Sequence, residues 1–250
     1  MSKVLEFIYG IVCYVVFLLS FIYAIGFMGN MVVPKSIDSG FVSSTAQSLI
    51  VNLILLGLFA VQHTIMARPR FKQWWTKSIP IQIERSTFVL IASLLLFLLY
   101  WQWRPMTTLI WSVEHSVIKA VLLALFWIGW VTVLISTFMI DHFDLFGLRQ
   151  VYLHLRSQEY HHAKLMTTGM YKYVRHPIML GFIVAFWATP YMTSGHLLFA
   201  IATTAYIIIG IQFEEHDLKH FLGKDYEDYR RRVSMLIPWR EKRITEIKNA

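Results

Sequence analysis

Residues 167–181, TTGMYKYVRHPIMLG, begin in a polar connection and end inside an apolar run. Arg175 and His176 stand immediately before Pro177. Proline is favoured at the first position of a helix, because its missing N–H is no loss there. We therefore expect a helix to begin at Pro177, with a cation and an imidazole at its N-terminal end. Taken alone, the stretch is equally typical of the positively charged flank of an ordinary transmembrane helix.

The composition is that of a membrane protein. Of the 250 residues, 56% are hydrophobic and only 15% are charged, against roughly 25% charged residues in a soluble domain. Cys13 is the one cysteine, which excludes an internal disulfide and any cysteine-based metal site. The net charge of +8 is attributed to loops that face anionic lipid, and no nucleic-acid partner is expected.

The apolar runs predict an all-α integral membrane protein with about five to six transmembrane helices. The first run is longer than the apolar part of a signal peptide and is interpreted as a retained anchor. Four spans are expected first and a C-terminal helical hairpin after them, at residues 7–27, 47–66, 88–103, 117–140, 178–188 and 197–212. Residues 213–233 then predict a basic amphipathic helix at the cytoplasmic membrane surface. We treat residues 1–250 as one domain, in which residues 7–140 form four spans and residues 141–250 bind the cofactor.

Lysine and arginine counts predict the orientation. Residues 1–6, 68–86, 140–177 and 213–250 carry twenty of the twenty-three. These basic segments alternate with connections that carry few. Cytoplasmic N- and C-termini follow, in what is expected to be a bacterial inner membrane.

This orientation brings four polar clusters to the cytoplasmic ends of the membrane segments. They are Gln62-His63, residues 141–144, Arg175-His176 and residues 214–216. Ionisable groups near the hydrocarbon usually face a cavity or the interior of the bundle. Four clusters at one depth therefore indicate a single pocket.

The chemistry of these residues matches a ligand with several kinds of charge. Arg175 offers a planar fork suited to a carboxylate. Glu214 and Glu215 offer acceptors for an ammonium group or ribose hydroxyls, and Tyr171 could help to enclose a cation. S-adenosyl-L-methionine carries all of these groups, although many polar metabolites would satisfy part of the set.

The pattern Gly169-x-Tyr171-x-x-Val174-Arg175-His176-Pro177-x-x-x-Gly181 resembles the signature of the isoprenylcysteine carboxyl methyltransferase and phospholipid methyltransferase superfamily. A second signature follows at Glu214-Glu215-x-x-Leu218-x-x-Phe221-x-Gly223-x-x-Tyr226-x-x-Tyr229. Together they cover the last third of the chain.

The N-terminal part resembles a narrower family. The stretches VQHTIMARPRFKQWW, IERSTFVLIASLLLFLLYWQWRP and DHFDLFGLRQVYLHLR are similar to the bacterial methanethiol S-methyltransferases, which are related to the NnrU-like membrane proteins. The resemblance implies methylation of methanethiol by S-adenosyl-L-methionine, with dimethyl sulfide and S-adenosyl-L-homocysteine as products. Hydrogen sulfide and other small thiols are plausible acceptors. The cofactor-binding residues that it implies are Leu165, Met166, Tyr171, Arg175, His176, Pro177, Ile178, Met179, Glu214 and Glu215.

Methylation of a thiol is helped by a base, because the thiolate is the nucleophile and a thiol with a pKa near about 8.5 is mostly protonated at neutral pH. His63, His142 and His176 are the candidate bases. Asp141 or Asp144 could orient the imidazole, and we select His142, His63 and Asp141 as the catalytic candidates. His216 and His220 lack a third ligand, so no metal is expected.

Two other functions stay open from the sequence. Sterol reductases carry a related Arg-His-Pro signature, which makes an NADPH-dependent membrane reductase the enzymatic alternative. A non-catalytic membrane carrier or partner, related to the NnrU-like proteins, is the alternative from another class.

Overall fold

The computed structural model describes residues 2–161 and 165–238, so the end of the predicted basic tail, residues 239–250, lies outside the described residues. The described chain is mostly helical, with two short strands, and it confirms the all-α integral membrane fold. In chain order the elements are α1 (Lys3–Gly29), α2 (Thr45–Ala67), α3 (Pro69–Trp75), α4 (Ile81–Gln102), β1 (Leu109–Ser112), α5 (Ser116–Ile140), α6 (His142–Leu145), α7 (Leu148–Leu155), a 3₁₀ turn (Gly169–Lys172), α8 (Pro177–Trp187), β2 (Tyr191–Thr193), α9 (Ser194–Leu222) and α10 (Lys224–Arg232).

Five of these helices, namely α1, α2, α4, α5 and α9, are long and apolar enough to cross a membrane. Helices α1, α2, α4 and α5 alternate in direction, and α9 runs in the same direction as α5 because α8 and the chain after it return between them. The beginnings of α1, α4 and α8 therefore lie at the same end of the bundle as the ends of α2, α5 and α9. We call this end, which also carries α6, α7 and α10, the site end. At the opposite end Phe27, Tyr100 and Trp103 are fully or almost fully buried in the main apolar core.

The predicted C-terminal hairpin is present as α8 and α9, with a difference in length. Helix α8 has 11 residues and extends only about 16 Å, well short of a hydrocarbon core of about 30 Å. The extended chain that follows it reaches the opposite end, where β2 pairs antiparallel with β1. The indole of Trp111 donates to the carbonyl of Thr189 at 3.2 Å, and Val113 N donates to Pro190 O at 2.9 Å. These bonds satisfy a non-helical backbone that lipid could not.

Helices α5 and α8 touch through glycine. A methyl group added at Gly129 would lie 2.7 Å from the carbonyl oxygen of Gly181, and one added at Gly181 would lie equally close, 2.7 Å, to that of Gly129. Small residues allow such close approach between membrane helices. This contact holds the start of α8, with its Arg-His-Pro motif, against the end of α5.

Three sequence boundaries were wrong, each for a physical reason. The third span begins at Ile81 and not at residue 88, because its first turns carry polar residues, which an apolar window excludes. The last span continues through Glu214 and Glu215 to Leu222. The tail is broken at Gly223, whose φ of 57° is readily adopted by glycine. Tyr226 and Tyr229 of α10 are buried at 1% and 3% exposure, so one face of α10 packs against the protein.

Candidate active site

Arg175 and Glu215 form a buried ion pair at the site end. Glu215 Oε1 lies 2.6 Å from Arg175 Nη2 and accepts a hydrogen bond from Nε at 2.8 Å, and each side chain is 8% exposed. Arg175 Nη1 donates to the carbonyl of Arg230 at 3.3 Å and to that of Val233. The sequence predicted that the guanidinium group of Arg175 binds a ligand carboxylate. In the structure this group instead binds Glu215 and backbone carbonyls of the protein. It joins the start of α8 to α9 and to the end of α10.

The segment after α10 crosses the Arg-His-Pro motif. Arg175 N donates to Ser234 O at 2.9 Å and His176 N donates to Met235 O at 3.2 Å. The hydroxyl of Tyr229 donates to Tyr171 O at 2.6 Å. Burial raises the pKa of Tyr229 to about 12, so this phenol stays neutral and keeps its proton for the bond. Both sequence signatures are thus parts of one hydrogen-bonded unit.

His176 connects the two adjacent carboxylates of α9. It caps the N-terminus of α8 and is buried. Its Nε2 lies 3.2 Å from Glu215 Oε1 and its Nδ1 lies 3.6 Å from Glu214 Oε2. The two glutamates differ in exposure, since the Glu214 side chain is 47% exposed and that of Glu215 is 8% exposed. Burial, and to a smaller extent the Glu214 carboxylate, raises the pKa of Tyr171.

His142 is buried at the end of α5 and has a defined tautomer. The Thr137 hydroxyl donates to Leu134 O at 2.7 Å, so it has no proton left for the imidazole and accepts from His142 Nδ1–H at 2.8 Å. The Tyr14 hydroxyl, 2.7 Å from Nε2, consequently donates to that nitrogen. Burial lowers the pKa of His142. The imidazole is therefore neutral at pH 7, with its basic nitrogen directed at Tyr14.

Aromatic rings surround His142 and extend to the outer surface. Phe138 stacks on the imidazole at a centroid distance of 4.2 Å, and Phe143 and Phe146 lie at 5.4 and 4.9 Å. Phe138 and Phe143 are 56% and 50% exposed. These two rings form an exposed apolar layer over His142.

Asp141 does not orient His142 through a hydrogen bond, since Thr137 and Tyr14 bind the two ring nitrogens. Its carboxylate instead accepts from Asp144 N at 3.1 Å and lies 3.2 Å from Arg149 Nη1. Its φ of 152° is rare for a residue other than glycine. The structure therefore shows Asp141 shaping the turn between α5 and α6, close enough to raise the pKa of His142 electrostatically against the effect of burial.

Gln62 and His63 lie about one turn before the end of α2, and each holds a buried polar atom without a hydrogen-bond partner in the described chain. The His63 ring lies between Phe59 and Phe88, at centroid distances of 5.3 and 4.8 Å. Its Nδ1 and the Oε1 of Gln62 are buried and accept or donate no hydrogen bond within residues 2–161 and 165–238. Buried polar atoms without a partner are costly, so these two atoms can be satisfied by a polar ligand or by water.

Arg85, in the second turn of α4, is a further charged residue of this region. It donates from Nε to Leu145 O at 2.7 Å and lies 5.0 Å from the centroid of Phe88. The carboxylates of Glu84, Asp144 and Glu214 act on it electrostatically, in decreasing order. The sequence reasoning missed Arg85 because the span boundary at residue 88 left it in a loop. A cation inside a membrane helix would have been a signal for function.

Helix α5 joins the two groups of site residues. Thr137 binds His142, and the preceding residue, Ser136, accepts at 3.5 Å from the hydroxyl of Tyr171. Gly169 packs against Met139 of the same helix. The remaining predicted cofactor residues flank this contact: Leu165, Met166, Ile178 and Met179 are partly buried, and Pro177 is buried. Within the described residues, no group of three His, Cys, Asp or Glu side chains has the arrangement of a metal site.

Comparison with known proteins identifies the class. The phospholipid methyltransferase family matches residues 116–226, from the start of α5 into α10. The matched region contains the Arg-His-Pro and Glu-Glu motifs that the buried ion pair connects. Fold and site together define a membrane-embedded methyltransferase. No solved structure matches the chain.

Relatives over nearly the full length narrow the class. The chain is 58% identical to methanethiol S-methyltransferase of Mycobacterium tuberculosis, over 96% of this chain and 98% of the relative. It is 56% identical to methanethiol S-methyltransferase 1 of Bradyrhizobium diazoefficiens, over 95% and 84%. It is 50% identical to the methanethiol S-methyltransferase of Crocosphaera subtropica, over 96% and 94%. The chain belongs to the methanethiol S-methyltransferase family.

Proposed function

We propose that this enzyme methylates methanethiol with S-adenosyl-L-methionine, giving dimethyl sulfide and S-adenosyl-L-homocysteine, and that hydrogen sulfide and other small thiols are further acceptors. The observation that carries the proposal is the Arg175–Glu215 pair, which unites both methyltransferase motifs in a chain 58% identical to an enzyme of that name. The domain division is part of the proposal: residues 141–250 supply most of the cofactor site.

The residues at the site end suit the donor chemically. Glu214 presents an accessible carboxylate to an ammonium group or to ribose hydroxyls, and Gln62 and His63 hold buried polar atoms without partners in the described chain. The proposed cofactor-binding residues remain Leu165, Met166, Tyr171, Arg175, His176, Pro177, Ile178, Met179, Glu214 and Glu215. Within this set, the contacts of Arg175 and Glu215 favour a role in holding the two sequence motifs in position over direct contact with the cofactor. When bound, S-adenosyl-L-methionine supplies an electrophilic methyl group on a sulfonium.

His142 is the proposed proton acceptor. Its Nδ1 is held protonated by Thr137, which leaves the lone pair on Nε2. Tyr14 occupies that lone pair at 2.7 Å. A thiol that donates to the Tyr14 oxygen can pass its proton by way of the phenol, whose own proton moves to Nε2. His63 is the second candidate, because its Nδ1 has no hydrogen-bond partner in residues 2–161 and 165–238.

The acceptor is proposed to enter from the lipid. Methanethiol is small and apolar and partitions into hydrocarbon. Phe138 and Phe143, both about half exposed, separate His142 from the bilayer by a single layer of aromatic rings. This route needs no opening toward water for the thiol.

The proposed location is a bacterial inner membrane, with both termini and the site end in the cytoplasm. Basic segments gather at this end of the bundle, as the positive-inside rule requires. S-adenosyl-L-methionine is a cytosolic metabolite, so the same orientation gives the donor direct access.

The test is turnover by the purified protein with methanethiol and one cofactor at a time. We expect S-adenosyl-L-homocysteine to form with S-adenosyl-L-methionine, and no NADPH to be oxidised. Oxidation of NADPH without S-adenosyl-L-homocysteine would replace the proposal with the reductase alternative. Saturable binding of the thiol without any product would favour the non-catalytic carrier.

A further inference from the structure

Arg85 is a partly buried guanidinium without a carboxylate partner. Among the described residues, no carboxylate lies within 4.0 Å of it. The other arginines that border the site are each paired: Arg68 lies 2.9 Å from Asp217, Arg149 lies 3.4 Å from Asp144 and Arg175 lies 2.6 Å from Glu215.

The carboxylates near Arg85 are directed elsewhere or kept at a distance. Asp144 accepts from Arg149 at 3.4 Å and from the Tyr160 hydroxyl at 3.2 Å. Glu84, the preceding residue on α4, and Glu214 both act on Arg85 electrostatically, Glu84 more strongly, but neither carboxylate lies within 4.0 Å of it in the described chain, and the Glu214 side chain is 47% exposed. A buried or partly buried charge is usually paired. Arg85 and Glu214 are therefore opposite charges at the site end that form no ion pair with each other in the described chain.

We propose that Arg85 binds the α-carboxylate of the methyl donor, while Glu214 binds its α-ammonium group. The inference rests on the proposed function for the identity of the ligand. An amino-acid head carries both charges a few bonds apart, so it can bridge a cation and an anion that do not reach each other. The guanidinium fork matches a carboxylate with two parallel hydrogen bonds.

With Arg85, a residue of α4 becomes part of the proposed cofactor site. The fork of Arg175 is satisfied by Glu215 and by backbone carbonyls, which leaves Arg85 as the cation suited to the carboxylate. Arg85 lies on α4, outside the matched methyltransferase region at residues 116–226. The N-terminal helices would thus contribute a binding residue as well as a scaffold.

The experiment compares two ligands by titration calorimetry on the full-length protein in detergent. The probes are S-adenosyl-L-homocysteine and its decarboxylated analogue, which keeps the ammonium, ribose and adenine groups. In Arg85→Met we expect affinity for S-adenosyl-L-homocysteine to fall about 10- to 100-fold, the range for hydrogen bonds to a charged group, and affinity for the analogue to stay unchanged. Arg68→Met, which removes a paired arginine on the neighbouring α2–α3 junction, should preserve the wild-type ratio of the two affinities.

The ratio separates binding from folding, because a misfolded fraction lowers the active concentration for both ligands equally. Arg85→Lys keeps the charge without the fork and serves if the methionine variant does not fold; it should retain part of the preference for the carboxylate. An unchanged ratio in folded Arg85 variants, or an equal loss for both ligands, would overturn the assignment while leaving the proposed function intact. If the wild-type protein bound neither ligand, the proposed donor and this inference would both be overturned.

Discussion

Glu215 Oε1 lies 2.6 Å from Arg175 Nη2 in a pair that is almost fully buried, whereas the adjacent Glu214 keeps 47% of its side chain accessible. Adjacent residues on one helix therefore have different tasks. Glu215 joins α9 to the Arg-His-Pro motif, and Glu214 faces the space where a ligand is expected.

Replacement of these glutamates by alanine should separate stability from binding. Glu215→Ala leaves the Arg175 guanidinium buried without its carboxylate, and breaking such a pair costs about 3–5 kcal/mol. Glu214→Ala should leave the unfolding temperature close to that of the wild type and should lower the affinity for S-adenosyl-L-homocysteine. Thermal unfolding in detergent and titration calorimetry measure the two effects. A stable Glu215→Ala protein that has lost only ligand affinity would show that Glu215 is a ligand residue and not a positioning residue.

His142→Gln should lower turnover by more than it lowers affinity for S-adenosyl-L-homocysteine. Glutamine can still bond to Thr137 or Tyr14, but it accepts no proton at pH 7. General-base catalysis contributes typically about 10²- to 10⁴-fold, so a loss in kcat within that range is expected. His142→Ala should show the same pattern. Equal losses of turnover and affinity would remove the proposed role.

The pH profile should carry the signature of a buried histidine. Because burial lowers the pKa of His142 below the ordinary value of about 6.5, the imidazole stays neutral from pH 7 down to that lowered value. Activity should therefore persist below pH 6.5 and fall only as the pH passes through the folded-state pKa. The folded state also loses stability below about pH 6.5, where the unfolded chain takes up a proton and the folded one does not. A profile that already falls above pH 6.5 would contradict this.

Thr137 should act by fixing the tautomer of His142. Thr137→Val removes the acceptor for Nδ1–H, so the proton can move to Nε2 and the base is lost. We expect a lower kcat with little change in ligand affinity. Thr137→Ser keeps the hydroxyl and should restore turnover, and an equally impaired serine variant would point to packing by the methyl group instead.

The glycine contact between α5 and α8 should be sensitive to a single methyl group. In Gly181→Ala the added carbon would lie 2.7 Å from Gly129 O, and overpacking of this kind costs about 1–3 kcal/mol. Gly57→Ala is the matched control, because nothing lies within 4 Å of the added carbon there. Unfolding temperatures of the two variants in one detergent provide the measurement. An unaffected Gly181→Ala protein would show that the helices can separate without loss.

The membrane fold was predictable because it depends on apolar length alone. The five long spans coincide with apolar runs, and the alternation of lysine and arginine placed His63, His142, His176 and Glu214 at one end before any contact was known. The superfamily resemblance also joined the Arg-His-Pro and Glu-Glu motifs. These inferences needed only the apolar runs, the positions of the lysine and arginine residues and the order of the motifs along the chain.

Individual partners were not predictable, because they depend on packing between distant segments. Tyr14 contacts His142 across 128 positions, and a tyrosine inside an apolar run carries no local signal for this. Arg85 was missed because the first two turns of α4 are polar where the helix meets the surface, so an apolar span was expected to begin only at residue 88. The strands β1 and β2 have four and three residues, too short for an alternating pattern to stand out.

The proposed reaction transfers a methyl group from S-adenosyl-L-methionine to methanethiol. Headspace gas chromatography with mass spectrometry tests this transfer most directly. Purified protein would receive methanethiol and a donor deuterated in its transferable methyl group. We expect dimethyl sulfide with one fully deuterated methyl group, formed in step with S-adenosyl-L-homocysteine and reduced in Glu214→Ala. Unlabelled dimethyl sulfide, or none from protein shown to bind S-adenosyl-L-homocysteine, would contradict it.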